Sequence, residues 1–493
     1  MKIFFQSMIL VALLSGCTNN MDQFREEAII CAADNTITKD EYDKLVGHIE
    51  TSDEAYFDLY KTNTKADNSK VIKELLKYFK VKKVNITESD IWKPITLSKQ
   101  EKFYINVFLE NSGSMNGYLD DPNTQFKNSI YSLLTRLKLF DNSLGLNLSL
   151  INKSDQLLYP NATNNDLVKF KDILNPASFS KISKGKTGES DLNDLMNRSL
   201  AKSNKSNLSV FISDCIYSPG KNISDASQYL VEQKQGIFLN FATELKKRDL
   251  AVIILQLYGN FKGTYYDHLN NKINISSSIS RPYYIWFIGT ENQINQIISS
   301  KKLEEIDGGY VNKIVIQPIK NLNQPKFKII SKATSGTFDK TELGKKIISG
   351  ASAATGNQNK GQFGFNVAVD FSGSLQDAKY FSDTANYSLS NKGYSLTIEE
   401  IVDKTNPDKI GFTHLLKFET SKLKDETLKI DIVGKTPKWI YNSTSINDTK
   451  ILTDKFEKHK TFGLKYLVEG VCDVFYPKSN SNVVNSISIT IKK

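Results

Sequence analysis

The residues able to do chemistry gather where apolar runs give way to loops. The run Phe103 to Leu109 ends in Glu110-Asn111-Ser112-Gly113-Ser114, a carboxylate followed at alternate positions by two hydroxyls. A second run, Leu208 to Ser213, ends on Asp214 and Cys215, and between the two runs lies Gly188-Glu189-Ser190-Asp191-Leu192. Side chains at the carboxyl ends of parallel strands converge in one crevice of an open α/β sheet. Carboxylate and hydroxyl oxygens are the donors that hard divalent cations prefer. The four histidines, His48, His268, His414 and His459, are far apart, and no pair has zinc-ligand spacing. A second Asp-x-Ser-x-Ser, Asp370 to Ser374, follows the strict alternation Phe363, Phe365, Val367, Val369. That period reads as a half-exposed antiparallel strand entering a turn, not a second metal site.

Glu110-x-Ser112-x-Ser114 after a first strand resembles the Asp-x-Ser-x-Ser motif that opens the metal-ion-dependent adhesion site of von Willebrand factor A (vWA) domains. Gly188 to Leu192 is similar to the family's Gly-Gly-Thr-Asp-Leu loop, with Ser190 at the threonine and Thr187 as a less well aligned alternative. Asp214 takes the place of the aspartate ending the next buried strand. The resemblance implies a metal site of Glu110, Ser112, Ser114, Ser190 and Asp214, with Ser112 and Ser114 binding directly and the others directly or through water. Magnesium is the expected ion, near-octahedral at about 2.0–2.1 Å, with manganese or calcium as substitutes. A partner's carboxylate would complete the shell, and Tyr118 and Asp120, in the loop beside the site, are the expected partner contacts. Two residues depart from the family pattern. Glu110 replaces the first aspartate, carrying its carboxylate about 1.5 Å further out, and Cys215 stands where glycine is usual.

The elements needed to position these residues are legible in the period of the apolar side chains. Strands are predicted over Phe103 to Leu109, Leu144 to Ile151, Leu208 to Ser213, Leu250 to Tyr258 and Tyr283 to Ile288. Helices are predicted over Phe126 to Leu139, Leu192 to Leu200, Ile237 to Lys247 and Glu291 to Ile298. This alternation predicts a Rossmann-like α/β domain with a parallel central sheet covered on both faces. The aromatic stretch Arg281 to Phe287 reads as a buried edge strand, and Tyr265 to His268 as a loop before it. From Phe363 onward short alternating strands predict a mainly β domain, an immunoglobulin-like sandwich. Phe462 to Phe475 has helical spacing and is expected to pack on that domain's sheet.

The N-terminus carries an address. Lys2, the apolar run Ile3 to Leu14 and Leu14-Ser15-Gly16-Cys17 read as a secretory signal, too short for a permanent span of roughly 20 apolar residues. Leu-Ser-Gly-Cys resembles the bacterial lipobox, which implies lipidation of Cys17. By resemblance to Gram-negative lipoproteins, Thr18 after Cys17 points to the outer membrane, on its periplasmic or surface face. The domains expected are a signal peptide at 1–16, a tether with short helices at 17–98, the vWA-like domain at 99–318 and the β-rich domain at 319–493. Within the tether, Ala33 to Glu41 has the outline of a calcium loop. Ile30 and Ala32 stand where oxygens are required, so no calcium site is read there. Three cysteines beyond Cys17 exclude a disulfide-stapled scaffold.

A formal net charge of +10 comes from lysines spread along the chain without a nucleic-acid-binding signature. The expectation is a lipid-anchored envelope protein that binds an envelope or extracellular protein through its metal, and that is not an enzyme. The alternatives are a metal-dependent hydrolase using the same crevice and a structural lipoprotein with a lapsed metal site.

Overall fold

The computed structural model describes residues 20–33, 35–52, 54–62, 65–91, 101–120, 124–182, 191–221, 225–318, 325–372, 374–402, 409–477 and 482–493. Cys17 and the signal peptide, like Thr187 and Ser190, lie outside the described residues. Seven strands form the largest sheet: β1 (Phe103–Glu110), β2 (Ser143–Ile151), β3 (Asp155–Tyr159), β4 (Asn207–Ser213), β5 (Ala251–Tyr266), β6 (Lys272–Gly289) and β7 (Asn312–Ile316). Their order is β3-β2-β1-β4-β6-β5-β7. β1 runs parallel to β2 and β4, and the remaining pairings are antiparallel. The protein is thus mixed α/β.

The sheet is mixed where a parallel one was expected, and the cause is local. β5 continues past Tyr258 to Tyr266, and the chain then turns at Asp267. The Asp267 carboxylate accepts from the backbone N–H groups of Leu269 and Asn271 at 3.0 and 2.8 Å, and Asn270 takes a left-handed φ of 59°. So tight a turn permits only antiparallel return; a parallel neighbour needs a long crossover. β6 therefore comes straight back and docks between β4 and β5. Arg281 to Phe287 accordingly occupies an interior strand, not the edge strand its position in the sequence indicated.

Helices at Gln125–Lys138, Leu192–Ala201, Ala226–Lys247 and Glu291–Ser299 bury their apolar stripes in the same core. Each starts on a side chain that accepts from its first-turn amides: Thr124, Asp191, Asp225 and Thr290. Such caps contribute about 1 kcal/mol apiece.

The helix at Leu464–Phe475 forms where its spacing predicts but packs elsewhere. Its apolar face (Leu464, Leu467, Val468, Val471, Phe475) enters the core of the seven-stranded domain, not that of the β domain. The approach to the helix Ala226–Lys247 is close. A Cβ on Gly470 would lie 2.8 Å from Ile237 Cγ2 and 2.9 Å from the Lys234 carbonyl oxygen. Lys234 ion-pairs with both Glu469 and Asp473 at 2.8 Å. The β domain itself is two sheets, one of four strands and one of five, around a shared core that includes Phe365, Val367, Phe418, Ile430 and Ile489. Its chain runs from residue 326 to 433, leaves to cover the first domain, and returns as the strand Val483–Ile491.

Residues 20–91, expected as a tether, have a core of their own, built from Phe24, Leu45, Leu75 and Phe79 on three α-helices and Phe57 on a 3-10 turn. Glu41 caps the second of these, accepting from the Thr38 amide and hydroxyl at 2.8 Å each. Among the described residues no helix is long and apolar enough to cross a membrane.

Filling the helix–helix contact tests this arrangement. Gly470→Val should destabilise the protein by about 1–3 kcal/mol through overpacking, read as a lower urea midpoint. An unchanged midpoint would show that the helix is not seated there.

Candidate metal centre at the carboxyl end of the sheet

The loop leaving β1 is held from both sides. Asn111 donates from its backbone to Ile151 O at 2.9 Å and from its side chain to Phe179 O at 3.2 Å, and its own carbonyl accepts from Asn152 Nδ2 at 2.6 Å. A 3-10 turn over Gly113–Tyr118 follows. So anchored, Ser112 and Ser114 bring their hydroxyls to 2.8 Å of each other. Glu110 is 3% exposed and Asp214 1%, at the ends of adjacent parallel strands whose register pairs Leu109 with Ile212.

The two carboxylates share one small volume. Burial and the nearby Glu110 charge push the Asp214 carboxyl up to about 7, against the pull of the Ser114 hydroxyl, the Ile216 amide and the Arg281 guanidinium. Ile216 N–H donates to Asp214 Oδ1 at 3.3 Å, while Asp214 Oδ2 is buried without a hydrogen-bond partner among the described residues. Ser213 Oγ donates to Glu110 Oε2 and accepts from the Cys215 amide at 2.7 Å. A buried acceptor left unsatisfied costs about 1–3 kcal/mol, and a cation placed there would remove that cost. Glu110, Ser112, Ser114 and Asp214 are thus gathered at one rim of the sheet as two carboxylates and two hydroxyls, and among the described residues no three His, Cys, Asp or Glu side chains converge as a metal cluster. Ser190 lies outside the described residues. The loop's following residue, Asp191, caps the helix Leu192–Ala201, whose Asn193 accepts from the Tyr217 hydroxyl at 3.0 Å. The start of that helix therefore lies close to the end of β4.

Cys215 sits in a turn that a glycine would enter freely. Its φ is +56°, in the left-handed region where glycine carries no steric cost. The thiol is fully buried, and burial pushes its pKa well up.

Tyr118 must be corrected. Expected at a partner surface, it is fully buried, donates to Pro282 O at 2.6 Å and packs edge-on against Phe261 and Tyr283. The reason is the close approach of Gly117, where a Cβ would lie 2.3 Å from the Phe261 ring, so the turn folds inward. Asp120 is exposed. Tyr265, Asp267 and His268 are buried as well. The Tyr265 hydroxyl and the His268 backbone and Nδ1 all engage Asp448.

Two functional neighbours were missed by sequence reasoning. Ser213 could have been noticed as the one polar residue ending a buried apolar run. Arg281 left no local signal. It is fully buried, lies 4.5 Å from the Tyr265 ring centroid, and donates to the carbonyls of Lys458 and Lys460 at 3.4 and 3.3 Å. The second Asp-x-Ser-x-Ser is a strand end: Asp370 accepts from the Ser372 amide at 2.8 Å.

Fold and site together define a mixed α/β protein with a buried carboxylate–hydroxyl cluster at the carboxyl rim of its largest sheet. No protein-family model and no curated protein matches the chain. Among solved structures, the crystal structure of manganese-loaded Plasmodium vivax TRAP protein matches at 11% sequence identity, covering 55% of this chain and 87% of that one with a TM-score of 0.17. So low a TM-score bears on neither the fold nor the site.

The elevated Asp214 pKa has a definite pH signature. Between its ordinary value of 3.8 and about 7 the folded protein holds a proton that the unfolded chain has released. In divalent-free buffer this contribution to stability is therefore complete below pH 4 and lost as pH rises through 7. Asp214→Asn should flatten that slope in denaturant titrations across the range; a slope equal to wild type would contradict the burial of the pair.

Proposed function

We propose that the chain is a lipid-anchored protein of the bacterial cell envelope whose vWA-like domain grips a protein partner through a divalent metal. Glu110, Ser112, Ser114, Ser190 and Asp214 hold Mg2+, or Mn2+ or Ca2+ in its place. The observation that carries this reading is Asp214 Oδ2, buried beside a second carboxylate and without a hydrogen-bond partner among the described residues. Bound there, a divalent cation supplies an open coordination position for a carboxylate oxygen of the partner. Asp120, exposed two residues after Tyr118, is the contact offered to the partner. The anchor is Cys17, the membrane the outer one, and the immunoglobulin-like β domain serves as spacer or second contact surface. Hydroxyl-rich ligation suits capture of a carboxylate better than activation of water, so the chain is a binding module and not an enzyme. A second reading, a structural lipoprotein whose site has lapsed, draws on Arg281, whose buried positive charge already acts on Asp214.

Magnesium or manganese at 100 times its dissociation constant should add roughly 2.7 kcal/mol of stability, reversed by a chelator. The gain should be larger at pH 8 than at pH 6, because binding displaces the Asp214 proton. Ser112→Ala with Asp214→Ala should abolish both this response and chelator-sensitive capture of a partner. If the thermal midpoint ignores metal in the wild type, the lapsed-site reading stands and the adhesion reading is wrong.

A further inference from the structure

In the unit formed by residues 20–91, one surface carries a single sign of charge. Its last α-helix, Asn68–Val81, buries Val71, Ile72, Leu75 and Phe79. That leaves Lys70, Lys73, Lys77 and Lys80 exposed. Residues three and four apart are neighbours on a helix, so the four ammoniums form one row along its outer face. Lys82 and Lys83, both exposed, continue the charge past the helix end.

The row is poorly balanced. Across residues 68–83 the one acidic side chain is Glu74, and Arg25 of the helix Asn20–Cys31 ion-pairs with it at 3.2 Å. Lys70, at the start of the row, lies 3.8 Å from Asp67. Among the described residues Lys73, Lys77 and Lys80 make no ion pair or hydrogen bond. Elsewhere on this unit lysines are matched: Lys39 by Asp43, Lys44 by Glu27 and Lys65 by Glu50. Like charges three and four residues apart oppose helix formation, so an anionic surface laid along the row would relieve the helix. Apolar side chains border it. Tyr56 and Leu59 are exposed on the 3-10 turn Ala55–Tyr60, and Val81 is exposed at the helix end. The turn lies beside the helix: the Tyr56 and Tyr60 rings are 6.1 Å apart, and Tyr60 interacts with Glu74.

We propose that this face lies on an anionic lipid bilayer. The lysine ammoniums meet headgroup phosphates, while Tyr56, Leu59 and Val81 enter the zone between headgroups and acyl chains. Lysine stems and tyrosine rings suit that zone because each joins an apolar body to a polar tip. A nucleic acid would use the charges and leave the apolar border in water. A further argument rests on the reading of Cys17 as the anchor. Cys17 stands three residues ahead of Asn20, and three residues span at most about 11 Å. Acyl chains there would bring this unit to the headgroups first, with Arg25 joining its first helix to the helix that bears the row.

Co-sedimentation of the full chain carrying Cys17→Ser, which has no thiol to acylate there, tests the face on its own. The vesicles are phosphatidylcholine alone, or phosphatidylcholine with about one-third phosphatidylglycerol. The apolar run Ile3 to Leu14 contributes to both, so the difference reports charge. Binding to the anionic vesicles should be tighter by on the order of a hundredfold. Salt raised toward about 1 M, where the Debye length is about 3 Å, should abolish the difference. Lys73→Gln, Lys77→Gln and Lys80→Gln together should remove most of it, at about fivefold per charge, with unchanged circular dichroism. Arginine at the same three positions should keep it. Lys340→Gln, Lys360→Gln and Lys392→Gln, exposed on the β domain, should leave it intact. Equal binding to the two lipids overturns the proposal, as does an undiminished preference in the Lys73, Lys77 and Lys80 glutamine variant. So does binding of duplex DNA that the anionic vesicles fail to displace. Because this form has no anchor, such a failure leaves the Cys17 reading standing; mass spectrometry finding wild-type Cys17 without acyl chains would sink that reading alone.

Discussion

Two carboxylates buried side by side at the end of a sheet repel one another, and the surroundings of Glu110 and Asp214 answer that repulsion. Ser213 donates to Glu110, the Ile216 amide to Asp214, and the Ser112–Ser114 hydroxyl pair stands beside them. Cys215 turns through a left-handed conformation that lets the chain leave β4 while Asp214 stays inside. None of these groups neutralises the pair. Hydrogen bonds favour the charged forms, but only a proton or a cation removes the like-charge cost. The cluster is poised between those two states, which connects its electrostatics to any role in binding.

Arg281 shows why the cluster cannot be separated from the rest of the molecule. Its guanidinium is carried on β6, the strand inserted between β4 and β5, and its donors meet the carbonyls of Lys458 and Lys460. Those carbonyls belong to the segment that leaves the β domain, crosses the β5–β6 hairpin and ends in the helix Leu464–Phe475. Asp448, in the same segment, gathers Tyr265 and His268 from the hairpin tip. His268 also stacks on Phe462, with ring centroids 4.7 Å apart and planes inclined by 11°. A chain segment late in the sequence thus completes the first domain and bears, through Arg281, on the potential at Asp214. The same excursion brings the helix Lys438–Asn442 beside β7, where the two line a cavity. The segment that the β domain emits thus packs into the core of the first domain and reaches Arg281.

Local pattern carried most of the elements and the chemistry-bearing positions. The apolar runs at Phe103 to Leu109 and Leu208 to Ser213 become β1 and β4, interior strands of the largest sheet that are buried over most of their length. The helices begin at Thr124, Asp191, Asp225 and Thr290 because those side chains satisfy first-turn amides. Glu110, Ser112, Ser114 and Asp214 were legible because a residue ending a buried strand must emerge at the rim. Tertiary structure decided the partners. An apolar stripe states that a face will be buried, not against what. So Leu464–Phe475 chose the helix Ala226–Lys247 over the β sheet, and Tyr118 went inward because Gly117 let the Phe261 ring approach. Likewise β6 entered the sheet interior once the Asp267 turn allowed only an antiparallel return, and Arg281, with no sequence neighbour to announce it, became part of the site.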